Sequence, residues 1–319
     1  MMFSPTVILF VSLLISDWGT ALGEKLFFDK RLSADNTVSC ATCHDPATAF
    51  ASKDGLAIGV QNRIGTRNVP TVLNVRFSKS YFWDGRALTL EDQAKQPLLN
   101  ASEMGMISES AIVQRLSSIP AYRAQFSRVF GREGITLNTI TKAIAAYERT
   151  LVSRDSPFDR FIAGDAKAIT EAQLKGWELF KGKAGCIECH TFSPSSPLFT
   201  DFSFHNTGLA LDVSDRGRFL VTQAAKDIGA FKTPSLREVE LTGPYMHNGS
   251  LRTLLDVVRF YNQGPQRTPN LDVKMRTLNL SESEMNDLVE FLRTLTSDDI
   301  LRRAQLSTPQ TRVAASVKP

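Results

Sequence analysis

Apolar residues along this chain recur mostly at spacings of three and four, the repeat of a helix that buries one face. From Thr139 to Val152, Ile140, Ile144, Tyr147 and Leu151 fall on one stripe. Thr170 with Gln173 forms a capping-box pair, and the helix it opens carries Leu174, Trp177 and Phe180 toward Gly182 and Gly185. Ser281 with Glu284 is a clearer box, followed by Met285, Leu288, Leu292 and Leu295 in a last helix that fades near Arg303. A further helix is read from Leu251 to Tyr261. Alternating patterns are short and rare, so few strands are expected. Between the helices lie long polar stretches rich in Gly, Pro, Asn and Asp, notably Asp45 to Arg67 and Thr191 to Lys232. Residues 304–319 read as a disordered tail.

Length and charge narrow this picture modestly. A chain of 319 residues is long enough for two domains, each with its own core, and the junction is placed near Ser153 to Pro157. A net charge of +4 without a long basic run does not suggest a nucleic-acid partner. Val7 to Ile15 is an apolar run of signal-peptide length, and Gly19-Thr20-Ala21 supplies a small-x-small cleavage pattern. No Lys or Arg precedes Lys25, so a mis-assigned start or a buried first helix is the alternative. No other segment approaches membrane-spanning length.

The cysteines change the picture most. All four lie in two Cys-x-x-Cys-His pentapeptides, Cys40 to His44 and Cys186 to His190. Two thiols one helical turn apart can add to the two vinyl groups of a porphyrin, with the following His turned onto the same face to bind iron. One copy alone would also read as a redox thiol pair or half a zinc site. Two copies with no fifth cysteine, and only His205 and His247 left over, argue against both. Two covalently bound c-type haems follow, one per domain, and haem attachment of this kind places the protein outside the cytoplasm.

With those motifs in place, the sequence resembles the bacterial di-haem cytochrome c peroxidase superfamily, in its MauG-like branch. The resemblance rests on Leu26-Phe27-Phe28-Asp29, Arg31-Leu32-Ser33, Ser39 to Pro46, Arg67 to Thr71 and Phe82-Trp83-Asp84-Gly85-Arg86. It continues through Leu90 to Gln93, Glu103-Met104, Thr233 to Arg237 and Pro244 to Gly249, in order, over about residues 22 to 297. It implies a mostly α fold of two cytochrome c-like helical domains with long loops and few strands. Residues 1–21 are then a signal peptide, 22–153 the peroxidatic domain and 154–303 an electron-transfer domain.

The resemblance also implies roles. His44 and His190 become the proximal iron ligands. Members needing reductive activation carry a distal His 23 residues before the Trp of the Trp-Asp-Gly-Arg segment; here that position is Val60, which cannot bind iron. An open site that meets peroxide in the ferric state is expected. Glu103 matches the family's catalytic glutamate, Gln93 a pocket glutamine and Pro97 a proline that shapes the distal cavity. Read without the resemblance, Glu103 is a helix N-terminal acid, and Gln93 and Pro97 are turn residues. Trp83 matches a tryptophan between the haems that passes electrons, although a Trp is most often a packing residue. Asn68, Thr242 and Pro244 match a calcium site of oxygen ligands between the domains. The second haem's distal position, 14 residues after His247, is Tyr261 rather than Met, which favours higher iron oxidation states. Met246 or Met275 is the alternative ligand, and His205 and His247 are read as structural or haem-pocket residues.

The function implied is a periplasmic peroxidase that reduces hydrogen peroxide at the N-terminal haem with electrons passed through the C-terminal haem. A small c-type cytochrome or copper protein is the expected donor. A MauG-type enzyme that oxidises side chains of a partner protein is the first alternative, and a non-catalytic di-haem electron carrier the second. No nucleic acid or stable membrane span is expected; a homodimer is compatible.

Overall fold

The computed structural model describes residues 17–209, 214–268 and 270–306. Their architecture is mostly helical. The first half contains α1 (17–27), α2 (Cys40–Cys43), α3 (Leu90–Leu99), α4 (Glu109–Ser117), α5 (Pro120–Phe130) and α6 (Leu137–Glu148). The second contains α7 (Pro157–Ile162), α8 (Glu171–Lys181), α9 (Phe219–Thr222), α10 (Leu254–Gln263), α11 (Glu282–Arg293) and α12 (Asp298–Leu306). Strands are limited to two antiparallel pairs, β1 (Leu56–Ile58) with β2 (Ile64–Asn68) and β3 (Phe204–His205) with β4 (Phe231–Lys232). Each pair forms inside a segment whose composition reads as loop. The run Val7 to Ile15 lies outside the described residues, while Gly19-Thr20-Ala21 lies within α1, which buries Leu22, Leu26 and Phe27.

Two apolar cores organise the chain. The first gathers Leu26, Phe27, Phe50, Leu98, Ile112, Tyr122, Phe126 and the α6 stripe Ile140, Ile144 and Tyr147. The second is aromatic: Phe158 meets Trp177, Phe192, Phe199 and Phe291 at ring-centroid distances of 5.0 to 5.6 Å. Edge-to-face contacts of this kind stabilise beyond the area they bury.

Both capping boxes form: Thr170 and Gln173 open α8, and Ser281 and Glu284 open α11. Three details of the periodic reading shift. α6 stops at Glu148, four residues short of Val152, because Asn74 takes the Leu151 carbonyl and holds Ser153 through its side chain. Leu174 is 37% exposed, because the inward face of α8 is occupied by Gly176. A Cβ there would lie 2.0 Å from the Asp287 carbonyl, so a glycine is what lets α8 and α11 approach. The last helix is two, α11 and α12, broken where the buried Glu238 carboxylate receives the N–H and hydroxyl of Ser297. α12 then returns Ile300 to the first core, and residues 307–319 of the expected tail lie outside the described residues.

The two halves repeat one another at an offset of 164 residues. Tyr81 to Asp92 reads YFWDGRALTLED, and Tyr245 to Asp256 reads YMHNGSLRTLLD. The parallel is structural as well. Tyr81 bridges Ala87 as Tyr245 bridges Leu251. Their hydroxyls bond to the carbonyls of Val75 and Val239. Phe82 and Met246, like Gly85 and Gly249, share the left-handed conformation. Thr89 and Thr253 cap helices of equal length, α3 and α10. The halves meet in reciprocal fashion, since Asn68 N–H donates to the His247 carbonyl (2.7 Å) and its counterpart Lys232 N–H donates to the Trp83 carbonyl (2.8 Å). Such an exchange marks an approximate two-fold relation between the halves.

Candidate haem centres and the distal pocket

Each Cys-x-x-Cys-His segment presents the donor set a c-type haem requires. Cys40 and Cys43 occupy the single turn of α2, capped by Ser39, while Cys186 and Cys189 lie on a 3-10 turn. None of the four thiols is in a disulfide. In both motifs the His amide closes the turn onto the first cysteine's carbonyl at 2.9 Å. His44 Nδ1 bonds to the Phe50 carbonyl (3.2 Å) and His190 Nδ1 to the Phe199 carbonyl (2.9 Å). Phe50 and Phe199 both sit at positive φ, so the two loops turn alike. A carbonyl acceptor holds the proton on Nδ1 and leaves Nε2 with its lone pair for a metal. Burial holds both imidazoles below the usual histidine range, which keeps them neutral and ligand-competent.

Of the residues expected around the first haem, Glu103 lies near its motif and Val60 lies against the Glu103 loop. The Glu103 carboxylate lies within electrostatic reach of Cys40 and Cys43. Its own pKa is raised by burial, opposed by the Arg86 charge and by the amide of Asn100, which donates to Oε1 at 2.7 Å. Val60 is 3% exposed, and its N–H donates to the Glu103 carbonyl (2.8 Å). A Cβ on the preceding Gly59 would fall 2.2 Å from the Ser102 carbonyl, so the loop bearing Val60 lies directly on the one bearing Glu103. Gln93 and Pro97 sit one turn apart on α3, both half-buried. Pro97 has no N–H, which leaves the Gln93 carbonyl without its helical donor on that face.

Tyr261 occupies on α10 the position that Pro97 holds on α3, since 97 plus 164 is 261. Its phenol lies within electrostatic reach of Cys186 and Cys189, and burial pushes its pKa up. His205 lies beside the second motif, held by two carboxylates. Nδ1 meets Asp272 at 2.6 Å and Nε2 meets Asp201 at 2.9 Å. Contact with Cys189, then these carboxylates, push its pKa up to about 10. Cys189, Asp201 and His205 are the one grouping at metal-ligand spacing among the described residues. Two carboxylates hold an imidazolium there and the sulfur belongs to the haem motif, so the cluster is no separate metal site.

Between the halves, Trp83 donates Nε1–H to the Asn68 carbonyl at 2.8 Å. His247, its counterpart in the repeat, stacks on Phe231 with centroids 3.6 Å apart. The Asn68 amide reaches the carbonyls of Pro244 (2.6 Å) and Met246 (3.0 Å) from the opposite half, whereas Thr242 bonds to Val239. Arg67 clamps the same seam, bidentate to Asp215 and single to Asp84. That clamp and the internal repeat escape the periodic reading, although Tyr-x-x-x-Gly-x-x-x-Thr-Leu-x-Asp recurs plainly in both halves.

The family's di-haem cytochrome c peroxidase sequence model matches residues 18–167. The MauG methylamine utilization protein of Methylorubrum extorquens is 44% identical over 282 residues, covering 87% of this chain and 78% of that one. The chain belongs to the di-haem cytochrome c peroxidase family. A cytochrome c551 peroxidase of Nitrosomonas europaea is 36% identical, over 87% of this chain and 79% of its own. Among solved structures, a MauG-like protein associated with microbial copper homeostasis matches with a TM-score of 0.81 at 32% identity, covering 92% of each chain. The diheme peroxidase BthA of Burkholderia thailandensis matches at 0.80 and 26% identity, over 92% of this chain and 88% of its own. Membership makes this chain an oxidoreductase of the peroxidase class carrying two c-type haems. No helix among the described residues is long and apolar enough to cross a membrane.

Proposed function

We propose that this family member reduces hydrogen peroxide at the N-terminal haem, in the periplasm, drawing electrons through the C-terminal haem. The observation that carries this reading is the asymmetry of the repeat. The α3 side offers Gln93, Gln96 and Pro97, with Glu103 beyond, where α10 offers Val257, Phe260 and Tyr261. The first half sets an amide and a carboxyl where the second sets a valine and, at the place of Pro97, a buried phenol near its Cys-x-x-Cys-His motif.

The iron of a bound haem supplies the peroxide-binding position and the electrons for cleaving the O–O bond. Glu103 takes the proton from the incoming peroxide and returns one to the leaving oxygen. Gln93 orients the substrate and Pro97 limits the cavity. Val60, an alkyl group held on the Glu103 loop, has no donor atom to offer, so a haem iron bound by His44 would keep a position free for peroxide. The overall stoichiometry is H2O2 plus two electrons and two protons to two waters. Trp83, in the seam between the halves, is the electron relay. Tyr261, a buried phenol near Cys186 and Cys189, is the residue that would bind the second haem's iron opposite His190. Asn68, Pro244 and Thr242 would hold a calcium ion with oxygen ligands once the Asn68 amide, turned over, offered Oδ1 in place of the nitrogen that now meets the Pro244 carbonyl.

The tyrosine favours a second reading, in which both oxidising equivalents are stored on the haem pair and spent on side chains of a partner protein. Similarity to proteins named MauG supports it. Adding peroxide to the ferric protein, with and without reduced cytochrome c, separates the readings. A peroxidase consumes peroxide steadily with the donor, a maturase turns over only with its target, and a pure carrier consumes none. Failure of cyanide to bind the ferric protein would remove the open site on which both enzymatic readings depend.

A further inference from the structure

Among the described residues, Arg86 is the cation whose charge acts on the Glu103 carboxylate, and three neighbours hold it in place. Its guanidinium lies 3.5 Å from the centroid of the Phe82 ring. Nε–H donates to Gln96 Oε1 at 2.8 Å, and Nη1 donates to both Asp84 oxygens at 3.1 Å. Asp84 is shared with Arg67, which is also bidentate to Asp215, so Arg86 stands at the edge of a balanced network of two cations and two carboxylates. From Gln96 the connection to Glu103 is short. The Gln96 carbonyl accepts from Asn100 N–H (3.0 Å), and the Asn100 side chain donates to Glu103 (2.7 Å). The repeat isolates the feature further. The counterparts of Arg86 and Gln96 are Ser250 and Phe260, so the cation and its anchor occur only in the half that bears the candidate acid–base group.

We propose that Arg86 is a positioning residue for Glu103, a fixed counter-cation that holds the carboxylate toward the distal side of the N-terminal haem and keeps it ready to accept a proton. This rests on the reading of Glu103 as the proton shuttle. Other groups at that loop do not supply the charge. Arg63 donates to the Ala101 carbonyl, Lys95 is paired with Glu109, and the two cysteines become neutral thioethers on haem attachment. Arg86 is only 34% exposed at its side chain, which preserves part of its field against solvent screening.

Cyanide binding to the ferric holoprotein tests this without turnover. HCN must surrender its proton as cyanide binds iron, and Glu103 is the acceptor, so the binding rate, read from the haem absorbance between about pH 4 and pH 9, falls on the acid side as Glu103 protonates. Arg86→Gln should move that limb up by about one pH unit and slow binding below it by about tenfold. Arg86→Lys should restore most of the shift. Gln96→Glu, which leaves Arg86 in place but neutralises it, should move the limb in the same direction and covers the case in which Arg86→Gln fails to fold. A limb unmoved in both Arg86→Gln and Gln96→Glu overturns the role of Arg86 while leaving Glu103 as the shuttle. A limb that survives in Glu103→Gln overturns the shuttle, and the Arg86 proposal with it.

Discussion

Replacing Glu148 by Gln should make the stability of this protein far less sensitive to pH. Glu148 ends α6, is 4% exposed, and its Oε2 is buried without a hydrogen-bond partner. Burial pushes its pKa from 4.5 to about 8; Arg149 opposes the rise weakly and Glu91 adds to it. Arg149 gives little relief because both its terminal nitrogens are committed to Glu91, at 2.8 and 2.9 Å. Below pH 4.5 the group is protonated in folded and unfolded chains alike and costs nothing through ionisation. As pH rises toward 8 the unfolded chain ionises while the folded carboxyl keeps its proton. Stability therefore falls by about 1.4 kcal/mol per unit and levels off once the folded group ionises too. The accumulated loss is about 5 kcal/mol at most, of which about 3 kcal/mol is already present at pH 7. Gln has nearly the same shape and no ionisation, so guanidinium unfolding of the haem-loaded protein should show variant and parent converging at pH 5. At pH 8 the variant should lead by on the order of 3 kcal/mol. A gap between them that does not change from pH 5 to pH 8 would refute a buried neutral carboxyl at this position.

Four further outcomes follow from the geometry. Gly176→Ala places a Cβ 2.0 Å from the Asp287 carbonyl, so thermal unfolding should report a loss of about 1–3 kcal/mol as α8 and α11 separate; an unchanged Tm would mean that the helices do not touch there. Phe158→Ala empties the centre of the aromatic cluster and should cost about 3–5 kcal/mol in denaturant unfolding. Tyr261→Phe should convert the ferric spectrum of the second haem to a five-coordinate or water-bound form; an unaltered spectrum would assign the position to Met246 or Met275. Chelation of divalent ions should perturb the haem spectra reversibly, with calcium restoring them, and Asn68→Ala should raise the calcium concentration required; insensitivity to chelator would remove the ion from the seam.

The local layer of this structure was legible from residue order. Capping boxes at Thr170 and Ser281 form because a hydroxyl and an acid or amide three residues apart satisfy each other's backbone donors wherever they occur. The Cys-x-x-Cys-His turns, and with them two covalent haems, are equally local: the chemistry needs one helical turn and nothing distant. Register at helix ends was not local. α6 ends early because Asn74, 77 residues before Leu151, takes that residue's carbonyl, and α11 parts from α12 because Glu238 reaches Ser297. The candidate site divides in the same way. That Val60 stands on the Glu103 loop, and that Gln96 links Arg86 to the turn bearing Asn100 and Glu103, depend on how the loops close on one another. Residue order selects which turns and helices form, through hydrogen bonds that span a few residues. Contacts across tens to hundreds of residues arise only when each half folds on itself and the halves then pack, and it is those contacts that set Val60 against Glu103 and Asn68 against the opposite half.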